Sequence, residues 1–202
     1  MSFQIFTALA LFAFVSCVTP GPNTMMLLSS GTSYGFARTV PHMLGICFGL
    51  VVMMILAGAG LINLFVLFPF AYTVLKVAGI SYLLYLAWSI ATAIPINTEA
   101  RREDESGKPI SFMQAVLLQW VNPKAMTMAL TAVTAFVPKP QTAFGLIMVA
   151  LIFGLICLPT TIIWTAMGTH IKRLLSTPRH FRIFNAIAAI ALVMSLYPII
   201  TA

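Results

Sequence analysis

The sequence predicts an all-α integral membrane protein. Six transmembrane helices form two inverted three-helix repeats, with broken first and fourth helices. Three observations predict this. The 202 residues are 60% hydrophobic and 7% charged, with a mean hydropathy of +1.01. A soluble domain carries about 45–50% apolar and about 25% charged residues. Six apolar runs each reach the length of about 20 residues that spans a bilayer, and two of them, half a chain apart, are cut by proline. Polar surface is too scarce to cover a water-soluble globule. A cytosolic enzyme, a disordered chain and a nucleic-acid reader are therefore excluded, and no nucleic-acid partner is expected. The net charge of +7 belongs to loops beside a lipid bilayer.

The runs cover residues 3–30, 40–67, 70–94, 112–137, 141–170 and 182–201. The first has no Lys or Arg before Val18, so it reads as a span and not as a signal peptide. The apolar pattern runs on past Val15-Ser16-Cys17, which argues against lipoprotein cleavage there. Gly45-x-x-x-Gly49 and Ala57 to Gly60 in the second run permit close helix approach, within the bundle or in a homo-oligomer. Tyr82, Tyr85 and Trp88 share a face of the third run, as packing or interface anchors or as a cation–π surface. Pro159-Thr160-Thr161 in the fifth run reads as a kink or hinge.

The connection 95–111 separates a first repeat, 1–94, from a second, 112–202. Loops on its side of the membrane hold Arg38, Arg101, Arg102, Lys108, Lys172, Arg173, Arg179 and Arg182; Lys76 and Lys139 fall to the other side. Eight basic residues against two place the 95–111 loop in the cytoplasm and both termini outside it. All four acidic residues, Glu99, Glu103, Asp104 and Glu105, lie in that loop. An intramembrane carboxylate relay and a hard-cation site therefore have no ligands among the spans. Cys17, Cys47 and Cys157 stand far apart in the sequence and read as small buried hydrophobes. No metal site or cofactor is expected.

The two breaks carry the functional reading. Thr19-Pro20-Gly21-Pro22-Asn23 interrupts the first run, and Asn122-Pro123-Lys124 the fourth. Proline removes a backbone donor and pushes its neighbour out of the helical region. Asn before Pro marks a helix restart. Asn122 minus Asn23 is 99 residues, close to half the chain. Three spans per half force opposite insertion of the halves. Paired broken helices are the sequence pointer to a transporter site at an inverted-repeat interface. A helix restarting inside the membrane offers N–H groups and a positive dipole end to an anion. The unwound segment before it offers carbonyls to a cation. Together they suit a small zwitterionic substrate. The candidate binding residues are Thr19, Pro20, Gly21, Pro22, Asn23, Thr24, Gln119, Trp120, Asn122, Pro123 and Lys124. Lys124 adds a positive charge for a carboxylate. Its other reading is the first residue outside a shifted span, although apolar residues continue from Ala125 to Val137.

These residues resemble the LysE/RhtB-type amino-acid exporter family. The marks are the Thr19 to Asn23 break, Gly45 to Gly49 after the basic turn at Arg38, the aromatic run Gly79 to Leu86, and Asn122-Pro123-Lys124 after Gln119-Trp120-Val121. Lys108-Pro109-Ile110-Ser111-Phe112 is similar to the cysteine/O-acetylserine exporter branch. The resemblance implies a multi-pass protein of the bacterial inner membrane. It implies a secondary transporter, not an enzyme, that exports amino acids or close derivatives by antiport with protons. Lys124, His42 or the substrate itself are the candidate proton carriers. An exporter of a metal ion or other small solute, or a non-transporting subunit, are the alternatives. A membrane-embedded enzyme would need a nucleophile and base that the spans lack.

Overall fold

The computed structural model describes residues 2–61, 69–93, 108–138, 142–174, 177–194 and 197. Loop residues 94–107, which include all four carboxylates with Arg101 and Arg102, lie outside the described residues, as does Lys139. So do the side chains of Lys76, Lys172 and Arg173. The described residues are helical, without a strand.

Helix α1, Phe3–Val18, is capped by the Ser2 hydroxyl, which accepts from the Ile5 N–H. It stops where Pro20 forces Thr19 into an extended conformation. Helix α2, Pro22–Tyr34, restarts with proline in its first turn, and the two axes bend by 55°. Gly35, at φ 82°, takes the left-handed turn that ends α2 and starts α3, Phe36–Leu56. A wider π-type turn comes next, Ala57–Leu61. Helix α4 is Pro69–Ala91. Helix α5, Phe112–Leu118, begins with a Ser111/Gln114 capping box. It tightens into a 3₁₀ turn, Gln119–Val121, before α6, Pro123–Phe136. Helix α7, Ala143–Leu174, carries Pro159 without interruption, and α8 is Pro178–Met194.

Each expected apolar run therefore coincides with helix, with ends displaced by a few residues. The expected tails 62–67 and 195–201, Tyr197 apart, fall outside the described residues. Two helices are long and apolar enough to cross a membrane alone: Phe36–Gly60, mean hydropathy 2.3, and Ala143–Ile171, mean hydropathy 2.6. The bent pair α1–α2 makes a third. Large apolar side chains such as Phe3, Phe70, Trp88, Phe144 and Leu155 point outward along these helices. That surface requires lipid.

Two apolar clusters hold the bundle together. The larger joins α1, α2, α3, α5, α6 and α7 around Leu9, Leu27, Met54, Ala115, Ala129 and Phe153; the smaller joins α2, α4, α5 and α8 around Met26, Leu83 and Leu192. Helix α2 is mostly buried despite its polar composition. Its backbone lies directly on α7. A Cβ on Gly31 would strike the Thr165 carbonyl, and one on Gly168 would strike that of Leu28. Threonine hydroxyls stitch the contact: Thr32 donates to the Gly168 carbonyl at 3.0 Å and Thr169 to that of Gly31 at 3.5 Å. Gly45 and Gly49 do the same work for α3 against Phe112, Ala115 and Val116 of α5.

Candidate functional site

The two breaks meet, through a part-buried amide pair and an exposed lysine tether. At the first, Gly21 is the extended N-cap. Its N–H donates to the Thr24 hydroxyl at 2.7 Å, and that hydroxyl donates to the Gly21 carbonyl at 2.8 Å. The restart thus begins one residue before Asn23, which is not a cap. The Asn23 side chain crosses to the other break instead, donating to Gln119 Oε1 at 2.8 Å. Gln119 is fully buried and anchors back to the Ala115 carbonyl at 2.8 Å. At the second break Asn122 is the expected cap. Its Oδ1 accepts from the N–H groups of Lys124 at 3.1 Å and Ala125 at 3.4 Å.

Lys124 ties the breaks together. Its ammonium donates to the Thr19 carbonyl, to the Thr19 hydroxyl at 2.8 Å and to the Pro20 carbonyl at 3.5 Å. These are oxygens freed where α1 ends. Lys124 lies in the first turn of a continuing helix, against the other break.

Two hollows flank this tether. An inner chamber of about 40 Å³ is lined by Gly21, Asn23, Thr24, Asn122 and Lys124 among the expected residues. A water needs about 10–15 Å³, so the chamber holds a few waters and must widen to take an amino acid. An outer recess of about 490 Å³ is lined by Thr19, Pro20, Gly21, Pro22, Pro123 and Lys124 with α1 and α6 side chains. Ser16, Gly21, Lys124 and Met128 line both. Lys124 is the single charged side chain lining either, among the described residues. Trp120 lines neither and packs on the larger apolar cluster.

Several chamber residues escaped sequence reasoning. Cys17 and Cys157 line it, and Cys47 belongs with them to the larger apolar cluster. The three cysteines are therefore neighbours in space, because α1, α3 and α7 share the larger cluster. Among the described residues no three His, Cys, Asp or Glu side chains are arranged to hold a metal ion. Thr160 and Thr161 line the chamber too, with hydroxyls bonded to the Cys157 and Leu158 carbonyls at 2.6 and 2.7 Å. A Pro-Thr-Thr sequence in an apolar run was the signal for them. Trp164 completes this wall, and its buried indole N–H has no partner among the described residues. His42 is fully buried, with neither ring nitrogen partnered among the described residues, and it lines neither hollow. Tyr82 and Tyr85 stack at 6.0 Å, and Tyr85 and Trp88 face outward, away from the chamber.

Comparison with known proteins shows the family. The model of the LysE type translocator family matches residues 14–195. The cysteine/O-acetylserine efflux protein of Escherichia coli (strain K12) is 30% identical over 194 residues, covering 96% of each chain. That of Shigella sonnei (strain Ss046) gives the same figures. That of Shigella flexneri is 31% identical over 183 residues, covering 90% of each. No solved structure matches the chain.

Proposed function

This chain belongs to the LysE type translocator family, and from that premise we propose that it exports small amino acids or close derivatives from the bacterial cytoplasm. It is a membrane transporter and not an enzyme. The curated relatives are named for cysteine and O-acetylserine efflux, so these two zwitterions are the first substrates to test. The observation that carries the reading is the meeting of the breaks, with a cation from one bound by freed oxygens of the other.

In this reading the chain forms six spans in two inverted halves, 1–94 and 112–202, joined by the cytoplasmic 95–111 loop, with both termini outside. Exchanged packing supports it: α1 and α2 lie on α7, the second long helix of the other half, and α5 lies on α3. The substrate binds between the breaks. Its carboxylate meets the Asn122 helix start, the Lys124 ammonium and the free indole N–H of Trp164. Its ammonium meets freed carbonyls of the first break. One half then rocks against the other, so that the chamber widens first toward the cytoplasm and then toward the outer recess. Export is driven by protons, carried by Lys124 or by the substrate itself.

The test is counterflow of labelled cysteine and O-acetylserine in liposomes, paired with a screen for the amino acid whose toxicity overexpression relieves. Counterflow with either substrate, dependent on Asn23 and Lys124, is the expected result. Binding of ions without any response to amino acids would overturn the reading. Collapse of accumulation by an uncoupler, with simple counterflow unaffected, is the expected sign of proton coupling.

A further inference from the structure

The ammonium of Lys124 occupies oxygens that an amino acid's own ammonium would seek. The Thr19 carbonyl, the Thr19 hydroxyl and the Pro20 carbonyl surround it. An ammonium group brings three donors and no acceptor, and these three oxygens match that count. The cradle is backbone in two of its three contacts, so it recognises the ammonium and nothing beyond it. The bound group is a primary alkylammonium, the same chemistry as the amino pole of a substrate.

We propose that the Thr19–Pro20 oxygens are the ammonium subsite and that Lys124 fills it as an internal surrogate until substrate arrives. The substrate ammonium then displaces Lys124, and the released lysine pairs with the substrate carboxylate. This rests on the amino-acid reading above and specifies how that site is filled.

The geometry around Lys124 fits such an exchange. Its side chain lines the chamber on one side and the recess on the other, so its departure from the cradle removes part of the wall between them. Gly21 keeps the stem's path clear: a Cβ there would meet Lys124 Cδ at 2.8 Å. The charges balance as well. A zwitterion adds one ammonium and one carboxylate, so the site's net charge stays at that of the lysine alone. An amine without a carboxylate would leave two ammonium groups side by side with no counter-charge, and like charges so placed repel. The exchange therefore selects zwitterions against simple amines without any contact to the substrate side chain.

The test is equilibrium binding to the purified full-length protein, with three probes: cysteine, cysteamine, which lacks the carboxylate, and 3-mercaptopropionate, which lacks the amine. Wild type is expected to bind cysteine and to bind cysteamine about tenfold more weakly or worse. In Lys124→Met the cradle is vacant. Cysteamine affinity should then rise by about tenfold while cysteine affinity falls by a similar factor. Lys124→Gln, of similar length and polar, serves if the Met variant is not monodisperse. Thr19→Val placed on Lys124→Met removes one of the three oxygens and should reduce the cysteamine gain. Cysteamine binding that is unchanged or weaker without the lysine charge overturns the surrogate role and leaves the amino-acid site standing. Failure of wild type to bind cysteine, O-acetylserine or any other amino acid overturns the amino-acid reading, and this inference with it.

Discussion

The two breaks use the same residue types and arrive at opposite chemistry. At the first, two prolines flank an extended glycine, and the outcome is a set of outward-facing oxygens from Thr19 and Pro20. At the second, one proline succeeds a capping asparagine, and the next residue is a lysine. One break accepts and the other donates, so they close on each other. The helices that restart from the two breaks also differ. Helix α2 is held backbone to backbone on α7 through Gly31 and Gly168. Helix α6 has no glycine and buries Ala125, Met128, Ala129 and Ala132, and it approaches each of its neighbours less extensively than α2 approaches α7. The first break is thus the fixed receptor, and movement costs less on the side of the second.

The comparison breaks most decisively at Lys124, the cation that makes the breaks complementary. Lys124→Ala removes one partner of a half-buried charged contact and strips the substrate carboxylate of its counter-charge. A hydrogen bond to a charged group contributes about 1.5–3 kcal/mol, so export should fall by roughly ten- to a hundredfold. Counterflow in liposomes measures it, with membrane insertion checked by protease protection. If residual export keeps its dependence on pH, Lys124 is not the proton-coupling group.

The contrast between the restarted helices α2 and α6 is sharpened by packing changes on each side. Gly168→Val drives two methyl groups into the Leu28 carbonyl and should lower stability by about 3 kcal/mol. Met128→Leu on α6 conserves volume and should cost less than about 1.5 kcal/mol. Thermal unfolding in detergent compares the two. Equal losses would mean that α2 and α6 are held alike.

Much of this was legible in the sequence, and the reason is local chemistry. Proline lacks an N–H wherever it stands, so Pro20, Pro22 and Pro123 announced the breaks, and Asn122 announced its cap. Apolar runs placed the helices to within a few residues. The rest depends on which helices touch. Cys17, Cys47 and Cys157 look unrelated until α1, α3 and α7 pack, and Thr160, Thr161 and Trp164 reach the chamber only through that packing. Asn23 depends on packing in a related way. Its residue type suits a cap, but Gly21 and Thr24 already close the restart, which leaves its amide free to cross 96 positions to Gln119.

That amide pair is the second bridge between the breaks, and it should respond to deletion more mildly than the lysine. Asn23→Ala leaves the buried Gln119 amide short of a partner, and Gln119→Ala leaves Asn23 so. Each should destabilise by about 1–3 kcal/mol. The double variant should cost clearly less than the sum, because both halves of one interaction are then gone. Additive losses would mean that the two amides act separately and that Lys124 alone joins the breaks. Asn23→Ala is also expected to lower resistance to the toxic amino acid while insertion persists.

The smallest effect tests whether the breaks differ only where they must. Glycine caps the first restart, with its own N–H bonded to Thr24. If capping is all that Asn122 contributes, glycine should nearly suffice at the second restart as well. Replacing an asparagine cap by alanine costs about 1 kcal/mol, and by glycine only about a few tenths. Asn122→Gly should therefore unfold close to wild type, and Asn122→Ala several degrees lower. Export separates the roles further. The N–H groups of Lys124 and Ala125, relieved of the Asn122 oxygen, become free to meet a carboxylate, so Asn122→Gly should bind substrate at least as well as wild type. Weaker binding with unchanged stability would place the Asn122 amide itself on the substrate, and the second break would then contribute a side chain to recognition where the first contributes mainly backbone.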